Sequence, residues 1–270
     1  MQSLNILIAC ECKSRMADFI KNSKYINKIY TTFEEDSSEL IPIKFNTFSS
    51  LAKKCKSLQI DFVLVESEKW ILEGISNVMK QNFVTCFAPT TEWLELGLSN
   101  CFAREILSKY QINIPEKINL PVEFPVLVKG DGIIKIANNI QDVIDIKGQV
   151  FQKSPTIAKS IFIEKYLYGK KCKVLSLFDG KHLLTFPNKE VNKELLKEYS
   201  QKLEKMFNSE NANFIGFINS ELIEENGILY NTGFSFEPEP FFYDEVKEFC
   251  SKKDFVYICL SAIYQKLNEI

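Results

Sequence analysis

The chain has 270 residues, 46% of them hydrophobic, enough for one large or two smaller packed cores without covalent or metal staples. Its 33 basic and 35 acidic side chains leave a net charge of −2, which offers no bulk attraction to nucleic acid or anionic lipid and argues against a dedicated DNA-binding role. The longest apolar runs, such as 62–65 and 174–178, fall far short of the roughly 20 residues that span a bilayer. With no basic lead and long apolar core at the N-terminus, neither a signal peptide nor a membrane anchor is expected.

Residues 4–9 form a short apolar run, 14–22 carry helical spacing, 26–31 are strand-like, and 51–58 precede the apolar run 62–66. Strand and helix in alternation predict parallel βαβ units, so residues 1–88 are expected to form a small Rossmann-like domain, continued by a helix over 71–81 and a strand near 84–87. Pro89 ends that extended segment, and Thr90 or Thr91 is placed to cap the following helix. Residues 91–110 read as two helices in close succession.

The texture then changes. Short β-rich stretches at 126–129, 133–137, 161–164, 173–178 and 182–186, with helical spacing near 141–146, predict a largely antiparallel α+β module within 124–186. An amphipathic helix follows over 189–208. Strands over 214–223 and 227–234 face each other across Glu224-Glu225-Asn226-Gly227, where Asn-Gly is a strong hairpin signal. Helical material from about 243 to 268 closes the chain, its apolar positions expected on the sheet. The eight cysteines, at 10, 12, 55, 86, 101, 172, 250 and 259, are scattered through apolar patterns, as suits buried thiols in a reducing, cytoplasmic setting. Cys10 and Cys12 have no second Cys/His pair nearby, and the single His182 is distant, so they read as thiols rather than a metal pair.

Four pieces, in order, carry a resemblance. Ile60-Asp61-Phe62-Val63-Leu64-Val65, then Glu68 and Gly74-Ile75, is similar to I-D-L-V-V-V-G-P-E-A-P-L-V-x-G-I. Ala88-Pro89-Thr90, Leu94-Glu95, Ser99 and Phe102-Ala103-Arg104-Glu105-Ile106-Leu107, continued by Tyr110-Gln111-Ile112 and Ile114-Pro115, resembles G-P-T...L-E-x-S-K-x-F-x-K-x-F-L...H-G-I-P-T. Phe124-Pro125-Val126-Leu127-Val128-Lys129-Gly130-Asp131-Gly132 resembles P-V-V-V-K-A-D-G, and Ile161-Phe162-Ile163-Glu164-Lys165-Tyr166-Leu167 with Gly169 resembles V-V-I-E-E-F-L-x-G. These are motifs of the phosphoribosylamine-glycine ligases of the ATP-grasp superfamily. The resemblance implies a Rossmann-like domain over 1–88 and an ATP-grasp domain over 89–270, with a lid subdomain at about 124–186. It also implies ATP and Mg2+ as cofactors. Nucleotide contacts would fall to Lys129, Lys135, Glu164, Tyr166 and Leu167, metal ligation to Asn231 and Glu221, and substrate contacts to Glu68 and Glu237.

The departures from that pattern concentrate in the site. The glycine-rich loop G-S-G-G-R-E, which lets a phosphate approach backbone N–H groups, is Ala9-Cys10-Glu11-Cys12-Lys13-Ser14 here. The family's first ATP lysine falls at Asn100. The flexible G-L-A-A-G-K-G-V loop is reduced to Gly132-Ile133-Ile134-Lys135-Ile136, with Lys135 as a remnant, and the acid that holds the ribose hydroxyls coincides with Lys171. Of E-x-N-x-R in the metal strand only the asparagine survives, in Leu229-Tyr230-Asn231-Thr232-Gly233, and Glu237-Pro238-Glu239 echoes D-P-E. The long central lid loop and the family's C-terminal domain are expected to have no counterpart in these residues. Three readings stay open: a degenerate, nucleotide- or ligand-binding relative with weak or no ligase activity (a pseudoenzyme), an active ATP-dependent carboxylate-amine ligase of purine-biosynthesis type with a rebuilt site, and a structural or interaction module. The sequence names no protein partner.

Overall fold

The computed structural model describes residues 3–34, 37–119, 123–130, 132–153, 160–236, 244, 247–250 and 252–270. The N-terminal part is a five-stranded parallel sheet in the order β3-β2-β1-β4-β5, built from β1 (Leu4–Ala9), β2 (Ile26–Thr31), β3 (Leu40–Pro42), β4 (Phe62–Val65) and β5 (Cys86–Phe87). Its central strands are apolar on both faces because both are covered. Leu7, Ala9, Val63 and Val65 pack toward α2 (Phe48–Ser57) and α4 (Ile75–Gln81), while Ile6, Ile8, Phe62 and Leu64 pack toward α1 (Arg15–Ile20) and the C-terminal helix Phe255–Ile263. Thr47 opens α2 in a reciprocal capping box with Ser50.

The helix expected over 71–81 is two helices. Gly74, at φ 82°, breaks it into α3 (Glu68–Leu72) and α4, so that α4 turns to follow the sheet edge. Thr90 does precede α5 (Thr91–Leu98), but its side chain makes no cap; the Thr91 N–H is held by Asn77 Oδ1 at 2.9 Å. Ser99 caps α6 (Asn100–Lys109).

The β-rich stretch 126–186 divides between two antiparallel sheets. The first, ordered β6-β9-β7-β8, holds β6 (Lys117–Ile118), β7 (Val126–Gly130), β8 (Ile133–Ala137) and β9 (Phe162–Lys165), backed by α7 (Ile140–Lys153), a longer helix than the spacing near 141–146 suggested. The second, ordered β11-β10-β12-β13, holds β10 (Lys170–Phe178), β11 (Leu183–Thr185), β12 (Gly216–Glu225) and β13 (Ile228–Ser235), backed by α8 (Lys193–Ser209). The hairpin of β12 and β13 closes where Asn-Gly placed it, with φ 52° at Asn226 and 76° at Gly227. The α8 helix starts four residues later than its amphipathic pattern suggested, because Asn192 accepts from the Glu194 and Leu195 N–H groups and caps it there. The final helix, α9 (Phe255–Ile263), wedges between the parallel sheet and the β10-β11 edge; part of the helical stretch expected from 243 lies outside the described residues. Among the described residues no helix is long and apolar enough to cross a membrane.

All eight cysteines are free; Cys10 is buried and Cys12 exposed. Burial, reinforced at Cys10 by the Glu66 carboxylate, pushes the Cys10 and Cys55 thiols from an ordinary value near 9 up to about 11. Between pH 9 and 11 the unfolded chain has released protons that the folded chain retains, so folding stability is expected to fall as pH rises through that window. Urea titrations at stepped alkaline pH check this, and Cys55→Ala should flatten the slope.

Candidate functional site

Strand alternation builds a slot between the two antiparallel sheets. On β7, Val126 and Val128 face α7, which leaves Leu127 and Lys129 on the opposite face with Ile134 and Ile136 of β8. On β10 and β12, Lys171, Lys173, Glu221 and Ile223 form the facing wall. The chain crosses between layers at Tyr166 and Leu167, which line the same cavity of about 680 Å3. A second cavity, about 490 Å3, shares Lys129 and Glu221 with it and continues toward Asn100 and Arg104 on α6.

Where the cavities meet, three charges are packed together. The Glu164 carboxylate is 3% exposed and takes a 2.6 Å hydrogen bond from Arg104 Nη1 on one oxygen. Its other oxygen lies 3.2 Å from Lys129 Nζ, an ion pair without hydrogen-bond alignment. Lys129, 4% exposed, donates instead to the Thr232 carbonyl at 2.8 Å, and Arg104 Nη2 donates to the Pro115 carbonyl at 2.7 Å. A buried pair of cations with one carboxylate leaves an excess positive charge facing the cavities, and such charges are tolerated only when bonded on most sides.

The two residues expected to bind metal, Asn231 and Glu221, both line the 490 Å3 cavity, but their side chains are engaged with protein partners. The β12–β13 register shifts between Glu221 and Leu222, so Thr232 is bulged and Asn231 pairs with Leu222 rather than with Ile223. That half-turn sends the Asn231 side chain to the α8 face, where its Nδ2 donates 2.8 Å to Tyr199 Oη, which itself donates to Ser220 Oγ. Glu221 stays in the slot, 3.7 Å from Lys173 Nζ. Gly233 lies beside it, its absent side chain leaving room for the Glu221 carboxylate, which is already paired to a lysine. These residues do not fit a hydrated dication, which needs several oxygen ligands. Removing the Tyr199 hydroxyl strands two buried polar groups, so Tyr199→Phe is expected to cost about 1–3 kcal/mol in a urea titration.

No family model matches the chain. It is 23% identical over 315 residues to the phosphoribosylamine-glycine ligase of Clostridium acetobutylicum, covering 94% of this chain and 73% of that one. It is also 28% identical over 175 residues to the human trifunctional purine biosynthetic protein adenosine-3, a match spanning 57% of this chain but only 17% of the human protein. Among solved structures, phosphoribosylamine-glycine ligase from Thermotoga maritima superposes with a TM-score of 0.72 at 14% identity, covering 97% of this chain and 76% of that one. The chain has the ATP-grasp fold. A D-alanine-D-alanine ligase from Bacillus anthracis, solved in complex with ATP, superposes with a TM-score of 0.63 at 17% identity, covering 99% of this chain and all of that one.

In this fold, Lys129, Glu164, Tyr166, Leu167, Glu221 and Asn231 line the two interlayer cavities. Lys135 does not join them: strand alternation sets it opposite to Ile134 and Ile136, exposed and 3.4 Å from Gln149 of α7, and it lines neither cavity. Asn231 lines the smaller cavity with Glu221, its side-chain amide donating to Tyr199. Glu68 opens α3 at the C-terminal edge of the parallel sheet and lines neither cavity; Glu237 lies outside the described residues.

Two positions of the candidate site carry no sequence signal that was used. Arg104 sits inside a quoted motif, but nothing in its local pattern tells a buried arginine from a surface one. At the first loop, the Glu66 carboxylate takes hydrogen bonds from Ser14 Oγ at 2.6 Å, Arg15 N at 3.2 Å and Met16 N at 3.3 Å. An internal carboxylate thus occupies the backbone donors that the glycine-rich loop of the ligases is expected to present to phosphate. Nearby, Ser67 Oγ and Lys69 Nζ hold Glu11, which keeps that carboxyl below its usual range.

Proposed function

We propose that this chain is a degenerate ATP-grasp protein that binds a nucleotide or nucleotide-like ligand between its two antiparallel sheets and has weak or no ligase activity. What supports the reading is a slot retained between the sheets in which the Asn231 amide donates to Tyr199 and Glu221 pairs with Lys173. The slot's chemistry suits a nucleotide, with apolar walls for a flat base and lysines for phosphate. ATP when bound would supply the phosphates that Lys129 meets; no reaction step follows from the residues present. The same proposal divides the chain at about residue 88.

Its sequence likeness to phosphoribosylamine-glycine ligases, covering nearly all of this chain, supports the second reading of an active carboxylate-amine ligase with a rebuilt site. One set of measurements separates them. The first reading expects ATP without Mg2+ to raise Tm by mass action, little further gain from Mg2+, and no ADP release with phosphoribosylamine and glycine. Sustained ADP release would establish the second reading, and absence of any nucleotide shift would remove both in favour of an interaction module. Lys129→Ala should abolish the ATP shift; an unchanged shift would place the site elsewhere.

A further inference from the structure

The slot holds two ion pairs that differ in exposure. Lys129 and Glu164 are nearly covered, with side chains 5% and 4% exposed, and Lys129 donates across the slot to the Thr232 carbonyl. Lys173 and Glu221 are open, at 38% and 40%, and the 3.7 Å between Nζ and the carboxylate is a pairing of charges too long for a hydrogen bond. Strand parity fixes where both stand. Cys172 and Val174 of β10 and Leu222 of β12 belong to the core under α8, and Ser220 accepts from Tyr199 of that helix. Lys173 and Glu221, directly opposite each other in the register, therefore share the other face, which is the slot wall. Thr232, the bulged residue beside Glu221, donates its hydroxyl to the Glu221 carbonyl at 3.1 Å, so the Lys129 ammonium is anchored one strand away from Glu221. Across β13, β12 and β10 the order is ammonium, carboxylate, ammonium.

An anionic ligand in the slot meets Glu221 as a repulsive charge unless a cation stands between them. The oxygen atoms present do not suit a divalent ion. An ammonium does: with three donors it can face a carboxylate and a ligand oxygen at once. Pairing between half-exposed groups is weak, so Lys173 turns from Glu221 toward a ligand at little cost. We infer that Lys173 is the slot's fixed counter-ion, screening Glu221 and taking phosphate oxygens directly, so that the slot selects the metal-free polyphosphate of a nucleotide over its magnesium complex. The inference rests on the nucleotide reading above and names the charge state of the ligand and the residue that selects it. The free polyphosphate carries more negative charge than its magnesium complex, and both lysines favour it. Lys171 supplies a contrast: it lies on the same face of β10 but opposite Ile223, with no carboxylate across from it.

Isothermal titration of the whole chain with ATP, once in EDTA and once in Mg2+ at constant ionic strength, tests this. The parent is expected to bind ATP at least as tightly in EDTA as in Mg2+. In Lys173→Met the affinity in EDTA should fall by about tenfold or more and the affinity in Mg2+ by less, which reverses the order. Lys173→Arg should keep the parent's order, and Lys171→Met should weaken both conditions alike; circular dichroism confirms that each variant is folded. Tighter binding by the parent in Mg2+ overturns the inference and leaves the nucleotide reading intact. So does an order that fails to reverse in Lys173→Met, or one that reverses equally in Lys171→Met, since the effect would then belong to the slot's overall charge. No binding of ATP by the parent in either condition overturns this inference and the nucleotide reading together.

Discussion

Replacing Glu164 with alanine is expected to destabilise the chain by about 3–5 kcal/mol, measured as a shift of the urea midpoint at constant slope. The size follows from what is left behind. Lys129 is 4% exposed and Arg104 largely covered, so the variant keeps two cations close together in a poorly hydrated place with their common carboxylate gone. The Thr232 and Pro115 carbonyls still accept from them, but a carbonyl dipole does not offset a full charge. If the loss arises from those stranded cations, two further results follow. Adding Lys129→Met to Glu164→Ala should cost less than the sum of the single changes, by about 1–3 kcal/mol, because one stranded charge is removed with its partner. Inorganic phosphate should restore stability to Glu164→Ala more than to the parent, since an anion entering the cavity replaces the missing carboxylate. A loss under about 1 kcal/mol, or equal effects of phosphate on both proteins, would mean that the three charges are not coupled as their distances indicate.

That experiment also bears on what the sequence made legible. Lys129 was readable because a lysine ending an apolar strand, followed by Gly130, sits in a recognisable motif. Its convergence with Arg104 on Glu164 was not, since the three residues lie on α6, β7 and β9 and meet only when the sheet is assembled. Parity explains the placement of Lys135 and Asn231 in different ways. Lys135 lies between Ile134 and Ile136, so period-two alternation alone places it away from the slot. Asn231 obeys the same parity until the bulge at Thr232 reverses it, and a bulge leaves no local signature here beyond the neighbouring Gly233. The parallel sheet was legible because buried strands and capped helices alternate at regular spacing, whereas β3 and β6, three and two residues long, are held by pairing rather than by any pattern of their own. Glu66 had the plainest physical signal that went unused: Ser14 caps α1, and a carboxylate at the end of the neighbouring strand is well placed to meet the same N–H groups.

The second large effect is expected at the crossing between layers, from Gly169→Ala. Gly169 joins the first sheet to the second, and it runs so close to the β12-β13 hairpin that a Cβ built on it would lie 2.1 Å from the Glu224 carbonyl oxygen and 2.7 Å from its carbon. Both are backbone atoms, so no rotamer change relieves the contact. Either β10 must slide away from β12, breaking the pairing of Lys170 with Glu224, or the hairpin must tilt. Overpacking of ordinary cores costs about 1–3 kcal/mol, and a clash with fixed backbone belongs at or above the upper end of that range. Gly169→Ala is therefore expected to cost about 3 kcal/mol or more, while Lys170→Ala, which removes only an exposed pair with Glu190 at 3.8 Å, stays within about 1 kcal/mol. The functional consequence is separable from the loss of stability. Since residues 166–169 fix how the two layers meet, a folded fraction of Gly169→Ala, measured well below its Tm, should bind any slot ligand more weakly even where circular dichroism is unchanged. Retention of parental stability would show that the hairpin yields easily, and the slot's width would then be set by the packing of α7 and α8 against their sheets rather than by the crossing segment.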